Sequence, residues 1–220
     1  MRNRIISLII ICVVAGLCSS AFALGSGSKA IGNFYLTNGE RIDSVEFEMP
    51  TEREMQVKVK INGKVKKIET DSIFSIILWN KKSPDNKYVF RPFYPEVINY
   101  DTGEFIEYWK KPIWLSLDEI GDQASYWFEI GRPSFKKNKI VFNFRQSCTP
   151  YSLAFVLKEG SEHPCYVPNS QKKLKGWIKL YLKDDPELVK RIDAGEYDAG
   201  KWANKYIDLI RIIKDYNPAK

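Results

Sequence analysis

The run from Gln171 to Asn217 constrains the chain most, because apolar spacing, caps and stop signals within it agree with one another. Leu174, Trp177, Ile178, Tyr181 and Leu182 follow the i, i+3, i+4, i+7, i+8 spacing of one helical face and predict a first helix. Asp185 caps a second, since its carboxylate accepts orphan amide protons and Pro186, at the first helical position, gives up no hydrogen bond. Leu188 and Ile192 form the inner face of this helix, and Gly195 stops it. Trp202, Tyr206, Leu209, Ile210 and Ile213 predict a third, longer helix that closes at Asn217 and Pro218. Helices this short cannot cover their apolar stripes with one another alone. They require a sheet as partner.

The preceding residues supply one. Residues 34–37, 41–49, 55–61, 64–69 and 73–79 read as five short strands, with Asn38-Gly39 and Asn62-Gly63 as tight turns. Val57, Val59 and Ile61 alternate with Lys58 and Lys60, which sets an apolar face against a lysine face. The nearly continuous apolar run Ile73–Trp79 is expected to be buried on both sides. A polar stretch over residues 80–86, containing Pro84, reads as a linker. Beyond it lie strand candidates at 88–93, 104–109, 113–117, 124–130, 139–145 and 152–158, separated by Gly and Pro turns. The fold class is therefore α+β and mainly antiparallel β. A small barrel is expected over residues 33–80, a second antiparallel β domain, sandwich or open barrel, over 86–168, and helices over 171–217 packed on that second domain. Leu36, Asn38 and Gly39, with the acidic turn at Asp71 before the fifth strand, resemble the opening of a small SH3-like or Sm-like barrel. That resemblance implies a binding scaffold and names no partner.

Arg2 and Arg4, the apolar run from Ile5 to Leu17, and Ala21-Phe22-Ala23 make the three-part layout of a secretory signal peptide, with cleavage expected after Ala23. A lipidated end at Cys18 competes less well, because Leu17 stands where a small residue is wanted. The apolar run is also shorter than the ~20 residues of a membrane span, so no transmembrane segment is expected once the signal is removed. A small-residue leader over 24–32 is expected to be mobile. Removal of residues 1–23 takes away two arginines and no acid, lowering the formal charge from +7 to +5. Outside the cytosol nucleic acid is not an expected partner, and a basic surface would meet an anionic envelope component or remain a solvated lysine face. Cys12 and Cys18 leave with the signal. Cys148 and Cys165 remain, and in an oxidising compartment they are expected to form a disulfide contributing ~3 kcal/mol.

Asp185, Pro186, Glu187, Leu188 and Ile192, followed by Tyr216 and Asn217, resemble a pattern found in uncharacterised secreted proteins of Gram-negative bacteria, over residues 152–217. The resemblance implies a periplasmic or outer-envelope location and carries no chemistry.

Catalytic signals are sparse. His163 is the only histidine, and its two candidate thiol partners are better explained as a disulfide. One His and two Cys do not reach a zinc ligand set, so neither metal nor cofactor is expected. Asp118, Glu119 and Asp122 form the densest acidic cluster before the helices and carry the alternative reading, a periplasmic glycan or peptide hydrolase using an acidic pair, against a plain turn-forming role. Asn99–Glu104 reads as a hairpin turn in preference to a calcium loop. Trp109, Trp114, Tyr126 and Trp127, with Lys110 and Lys111 between the first two, could offer stacking faces and cations to a saccharide, against the competing role of core aromatics. Lys58, Lys60, Lys64, Lys66 and Lys67 crowd one hairpin, while Lys172, Lys175, Lys179 and Lys183 recur along the first helix. The expectation is a non-enzymatic envelope protein with a binding or scaffolding role.

Overall fold

A computed structural model of the chain describes residues 29–50, 53–81, 83–129, 132–136, 139–143, 154–168, 170–199 and 206–218. In chain order come β1 (Lys29–Leu36), β2 (Arg41–Glu48), β3 (Gln56–Ile61), β4 (Lys64–Glu69), β5 (Ile73–Asn80) and β6 (Ser83–Phe93). They are followed by β7 (Glu96–Ile98), β8 (Phe105–Tyr108), β9 (Ile113–Ile120), β10 (Ala124–Glu129), β11 (Arg132–Lys136), β12 (Lys139–Asn143), β13 (Ala154–Lys158) and β14 (Cys165–Tyr166). Last are α1 (Gln171–Tyr181), α2 (Pro186–Asp193), β15 (Asp198–Ala199), β16 (Tyr206–Ile207) and α3 (Leu209–Asp215). The structure is mainly antiparallel β with helices, as the sequence predicts. The chain divides into two compact units at Arg91 and Pro92, with residues 130–144 returning to unit 1.

Unit 1 carries the ladder β4-β3-β2-β1-β5-β6, antiparallel throughout. Asn62 (φ 51°) and Gly63 (φ 77°) both take the left-handed conformation that a two-residue hairpin turn demands, and this sets Ile61 opposite Lys64. Phe34, Phe47, Val57, Val59, Ile76, Leu78 and Phe90 are buried, Phe34 meeting Phe47 edge to face at 5.0 Å between ring centres. The expected burial of β5 holds for Ile73, Ile76, Ile77 and Leu78. Two expectations change. Residues 29–32, read as leader, belong to β1, because Ala30 and Gly32 pair with Phe47 and Val45. Most of the polar linker is strand: Asn80 ends β5 and stands opposite Ser83, where β6 begins. No described pairing closes the ladder of either unit into a barrel.

Unit 2 carries the ladder β9-β10-β13-β14-β7-β8, in which only β14 and β7 run parallel. One sheet face supplies Ile98, Tyr126, Val156 and Cys165 to a buried cluster completed by Leu174, Trp177, Ile178 and Leu182 of the α1 segment, Leu188 and Ile192 of α2, and Leu209, Ile212 and Ile213 of α3. The helices are thus built on the sheet, as their stripes require. Asp185 caps α2 as predicted, its carboxylate accepting the Leu188 N–H at 3.0 Å, and Gly195 (φ 81°) takes the left-handed conformation that ends it. The third helix is shorter than its apolar spacing predicts. Asp208 starts it by accepting the Arg211 N–H at 3.1 Å, while Tyr206 and Ile207 pair as strand with Ala199 and Asp198. Trp202, expected on this helix, lies outside the described residues.

Candidate functional site

In unit 2 the β7–β8 hairpin, the end of β13 and the end of α1 border an open cleft of about 320 Å³, lined by Glu96, Ile98, Gly103, Phe105, Lys158, Ser161, Leu180, Tyr181 and Lys183. Strand register explains which side chains meet there. Glu96 stands opposite Tyr108 and Ile98 opposite Phe105, so all four project from the same sheet face. Gly103 takes a positive φ of 73° in the hairpin turn and lies close to Leu180; a Cβ there would stand 3.2 Å from the Leu180 Cβ, so the turn seats against α1. Asn99 shapes the same turn by accepting the Asp101 N–H at 2.8 Å, which is the hairpin role expected for this loop.

The lining mixes two kinds of chemistry. Phe105, Ile98 and Leu180 are apolar, and Phe105 extends into a row of rings, 4.7 Å from Tyr108, which in turn lies 4.0 Å from His163. The His163 ring is fixed by a 2.7 Å hydrogen bond between Nδ1 and the Tyr94 carbonyl oxygen. Among the polar groups, Lys158 Nζ donates to both Asp184 oxygens at 2.9 and 2.8 Å and lies 5.0 Å from the Tyr181 ring centre. Burial would lift the Asp184 carboxyl, but hydrogen bonds from Lys158 and from the Tyr216 hydroxyl (2.8 Å) hold it below its usual range. Burial raises the Glu96 carboxyl, opposed by the charges of His163 and Lys158. The Tyr181 hydroxyl donates to the Val156 carbonyl oxygen at 3.1 Å, and burial keeps its proton on. Lys183 is exposed at the mouth.

The residues singled out in the sequence lie elsewhere. Trp114 is fully buried in β9 and has no face to offer a ligand, which removes it from the saccharide set. Trp109 is half-buried and packs on Phe155 and Tyr166, leaving Lys110 and Lys111 exposed beyond it. The hairpin lysines do not share a face: Lys58 opposes Lys67 and Lys60 opposes Val65, whereas Lys64 and Lys66 oppose Ile61 and Val59. Lys58 is also paired to Glu48 at 2.9 Å. On α1, Lys175 and Lys179 are paired with Asp198 and Asp193, at 3.5 and 2.6 Å. The side chain of Lys172 lies outside the described residues.

In the acidic cluster Glu119 stands opposite Tyr126 and Leu117 opposite Trp127, so Asp118 is the extra residue of a β-bulge; burial and then the charge of Glu119 raise its carboxyl, and Glu119 is ion-paired with Lys214 at 3.0 Å. Cys165 is a buried free thiol, pushed up to about 12 by burial and by the charge of Glu96; Cys148 lies outside the described residues. Among the described residues no group of three or more His, Cys, Asp or Glu is placed to hold a metal ion, and no helix is long and apolar enough to cross a membrane.

Glu96, Phe105, Lys158 and Tyr181 escape sequence reasoning because they come from four separate segments. One signal was available. Phe105, Ile106, Tyr108 and Trp109 are large apolar residues without the in-and-out alternation of a half-buried strand, and such a run is out of place unless something binds it. Compared with protein-family models, with curated proteins and with solved structures, the chain matches none.

Proposed function

We propose that the protein is a non-enzymatic, exported binding protein of the cell envelope, and that the unit 2 cleft takes an acidic saccharide. The observation that carries this reading is the mixed lining of the cleft, where the Phe105 ring and the Ile98 and Leu180 side chains stand together with the Glu96 carboxyl, the Ser161 and Tyr181 hydroxyls and the Lys158 and Lys183 ammonium groups. A sugar ring presents apolar C–H faces that stack on an aromatic ring such as Phe105, while its hydroxyls bond to groups such as Glu96 and Ser161. Lys183 would meet the anionic substituent, since Lys158 is already held by Asp184. The charged start, apolar run and Ala-x-Ala end of residues 1–23 support export. The alternative, a glycan or peptide hydrolase using an acidic pair at Asp118–Asp122, is weakened by the ion pair that Glu119 makes with Lys214.

Titration of the full chain with acidic and neutral oligosaccharides tests the proposal, with intrinsic fluorescence and calorimetry as readouts. Saturable binding of the acidic series is expected, weaker by about tenfold in Phe105→Ala and in Lys183→Glu, and weaker as salt rises. The recovered saccharide should be unchanged. Absence of saturable binding, affinity indifferent to both substitutions, or cleavage of the saccharide would overturn it.

A further inference from the structure

Five large apolar side chains stand exposed among the described residues: Met55, Val65, Phe105, Ile106 and Tyr108. Four of the five lie on just two strands, β4 and β8. Each of these is the terminal strand of its ladder, bonded to β3 or β7 on one side and to no described strand on the other. A terminal strand leaves a row of amide and carbonyl groups open to another chain, and proteins usually blunt it with charge, shortness or a bulge. β8 is short and bulged at Ile106, yet Phe105, Ile106, Glu107 and Tyr108 are all exposed, as are Lys64, Val65, Lys66 and Lys67 of β4.

The charges on the two strands are opposite. Between Pro92 and Trp109 the sequence holds four acids, Glu96, Asp101, Glu104 and Glu107, and no Lys or Arg, although the whole chain is basic. Between Gln56 and Glu69 it holds five lysines. Pairing β4 with its own copy would set lysine against lysine, and pairing β8 with its own copy about Glu107 would set Glu107 against itself; like charges directly opposite are destabilising. Pairing β4 with β8 avoids both. In one antiparallel register Glu104 meets Lys67, Phe105 meets Lys66, Ile106 meets Val65 and Glu107 meets Lys64. All four pairs are favourable: two of opposite charge, one aliphatic, and one ammonium beside an aromatic ring.

We propose that the protein assembles head to tail, β4 of one copy adding as a strand to β8 of the next. The contact joins different surfaces of identical chains, and each copy offers one β4 and one β8, so the assembly grows by repeating this single pairing until it closes. A pairing of so few residues is weak, so the assembly is concentration-dependent. This goes beyond the proposed ligand site, because Glu104, Glu107, Lys64 and Lys67 do not line the cleft.

Sedimentation velocity of the full chain over a concentration series tests the idea, using two charge-reversed variants, Glu104→Lys with Glu107→Lys, and Lys64→Glu with Lys67→Glu. Wild type should form species larger than the monomer as concentration rises. Each variant alone should associate about tenfold more weakly, since each then carries two strands of like charge. An equimolar mixture should assemble again, because the native β4 of the first variant meets the native β8 of the second and the reversed strands also match; misfolded variants would give no such recovery. A wild type that stays monomeric, a dimer that ignores charge reversal, or a mixture without recovery would overturn the proposal. Saccharide binding in the Lys64→Glu with Lys67→Glu variant, whose substitutions lie in unit 1 and outside the cleft lining, should match wild type, so loss of assembly and loss of the ligand site are read separately.

Discussion

Asp185 is the most economical place to test how unit 2 is held together. Its side chain is 7% exposed, and its two oxygens serve two separate segments: Oδ1 accepts the Leu188 N–H at 3.0 Å, while Oδ2 accepts the Asn217 N–H at 2.9 Å. Asp185→Ala removes a helix cap, about 1 kcal/mol, and a hydrogen bond to a charged acceptor, about 1.5–3 kcal/mol, leaving the Asn217 amide without its acceptor. The expected loss is roughly 2–4 kcal/mol, a large part of the 5–15 kcal/mol by which domains are stable. Asp185→Asn keeps one carbonyl oxygen for the cap but turns an NH₂ toward the Asn217 N–H, so about half of the loss should remain. Urea unfolding followed by tryptophan fluorescence reads the change, because Trp177 lies in the same buried cluster. The midpoint should fall for both variants, further for Ala, with little change in slope. An Ala variant within 0.5 kcal/mol of wild type, on the scale expected of a neutral surface change, would refute the two-ended role.

Three further outcomes are expected. Gly121→Ala should destabilise by about 1–3 kcal/mol, because a Cβ there overlaps the Ile213 carbonyl oxygen and forces main chain apart; an unchanged thermal midpoint would contradict the close approach. The native state favours protonated Glu96, so its ionisation costs stability as pH rises through the unfolded value of about 4.3 toward the raised folded value; Glu96→Gln should gain on wild type near pH 7 and lose that advantage in acid, and a difference independent of pH would exclude the buried carboxyl as its source. In the reduced folded protein Cys165 should resist thiol reagents until unfolding, since burial suppresses its thiolate; in the exported protein, unfolded without reductant, near-zero thiol titration is expected if Cys148 bridges to it, and two thiols per chain would refute the bridge.

Local chemistry carried most of what the sequence disclosed. Asn62-Gly63 fixes its hairpin because both residues tolerate positive φ, and Asp185-Pro186 starts α2 because cap and ring agree on one boundary. The third helix was overextended because apolar spacing continues upstream of Asp208, and spacing alone does not reveal that Asp208 turns its carboxylate onto Arg211 N–H. The lysine faces failed for a different reason. Counting lysines along β3 and β4 ignores the register, which sends Lys64 and Lys66 to the face opposite Lys58 and Lys60, and it ignores Asp193 and Asp198, which meet α1 only after folding. The cleft was hidden because long-range pairing creates it: Cys165 beside Glu96 brings together segments that nothing in the intervening sequence connects.

The buried cluster of unit 2 joins Ile98 to Tyr216, residues far apart along the chain, whereas much of unit 1 is built from hairpins between neighbours such as β3 and β4. Loops that long close slowly, and pairings between distant segments delay folding far more than local turns do. Topology therefore separates the two units in time. The β3–β4 hairpin can form as soon as Lys67 has been made, but the helix-facing side of β10 and β13 stays bare until Ile212, Ile213 and Tyr216 follow. During that interval the nascent protein carries an uncovered apolar sheet face, the state in which a chain of this kind is most exposed to aggregation.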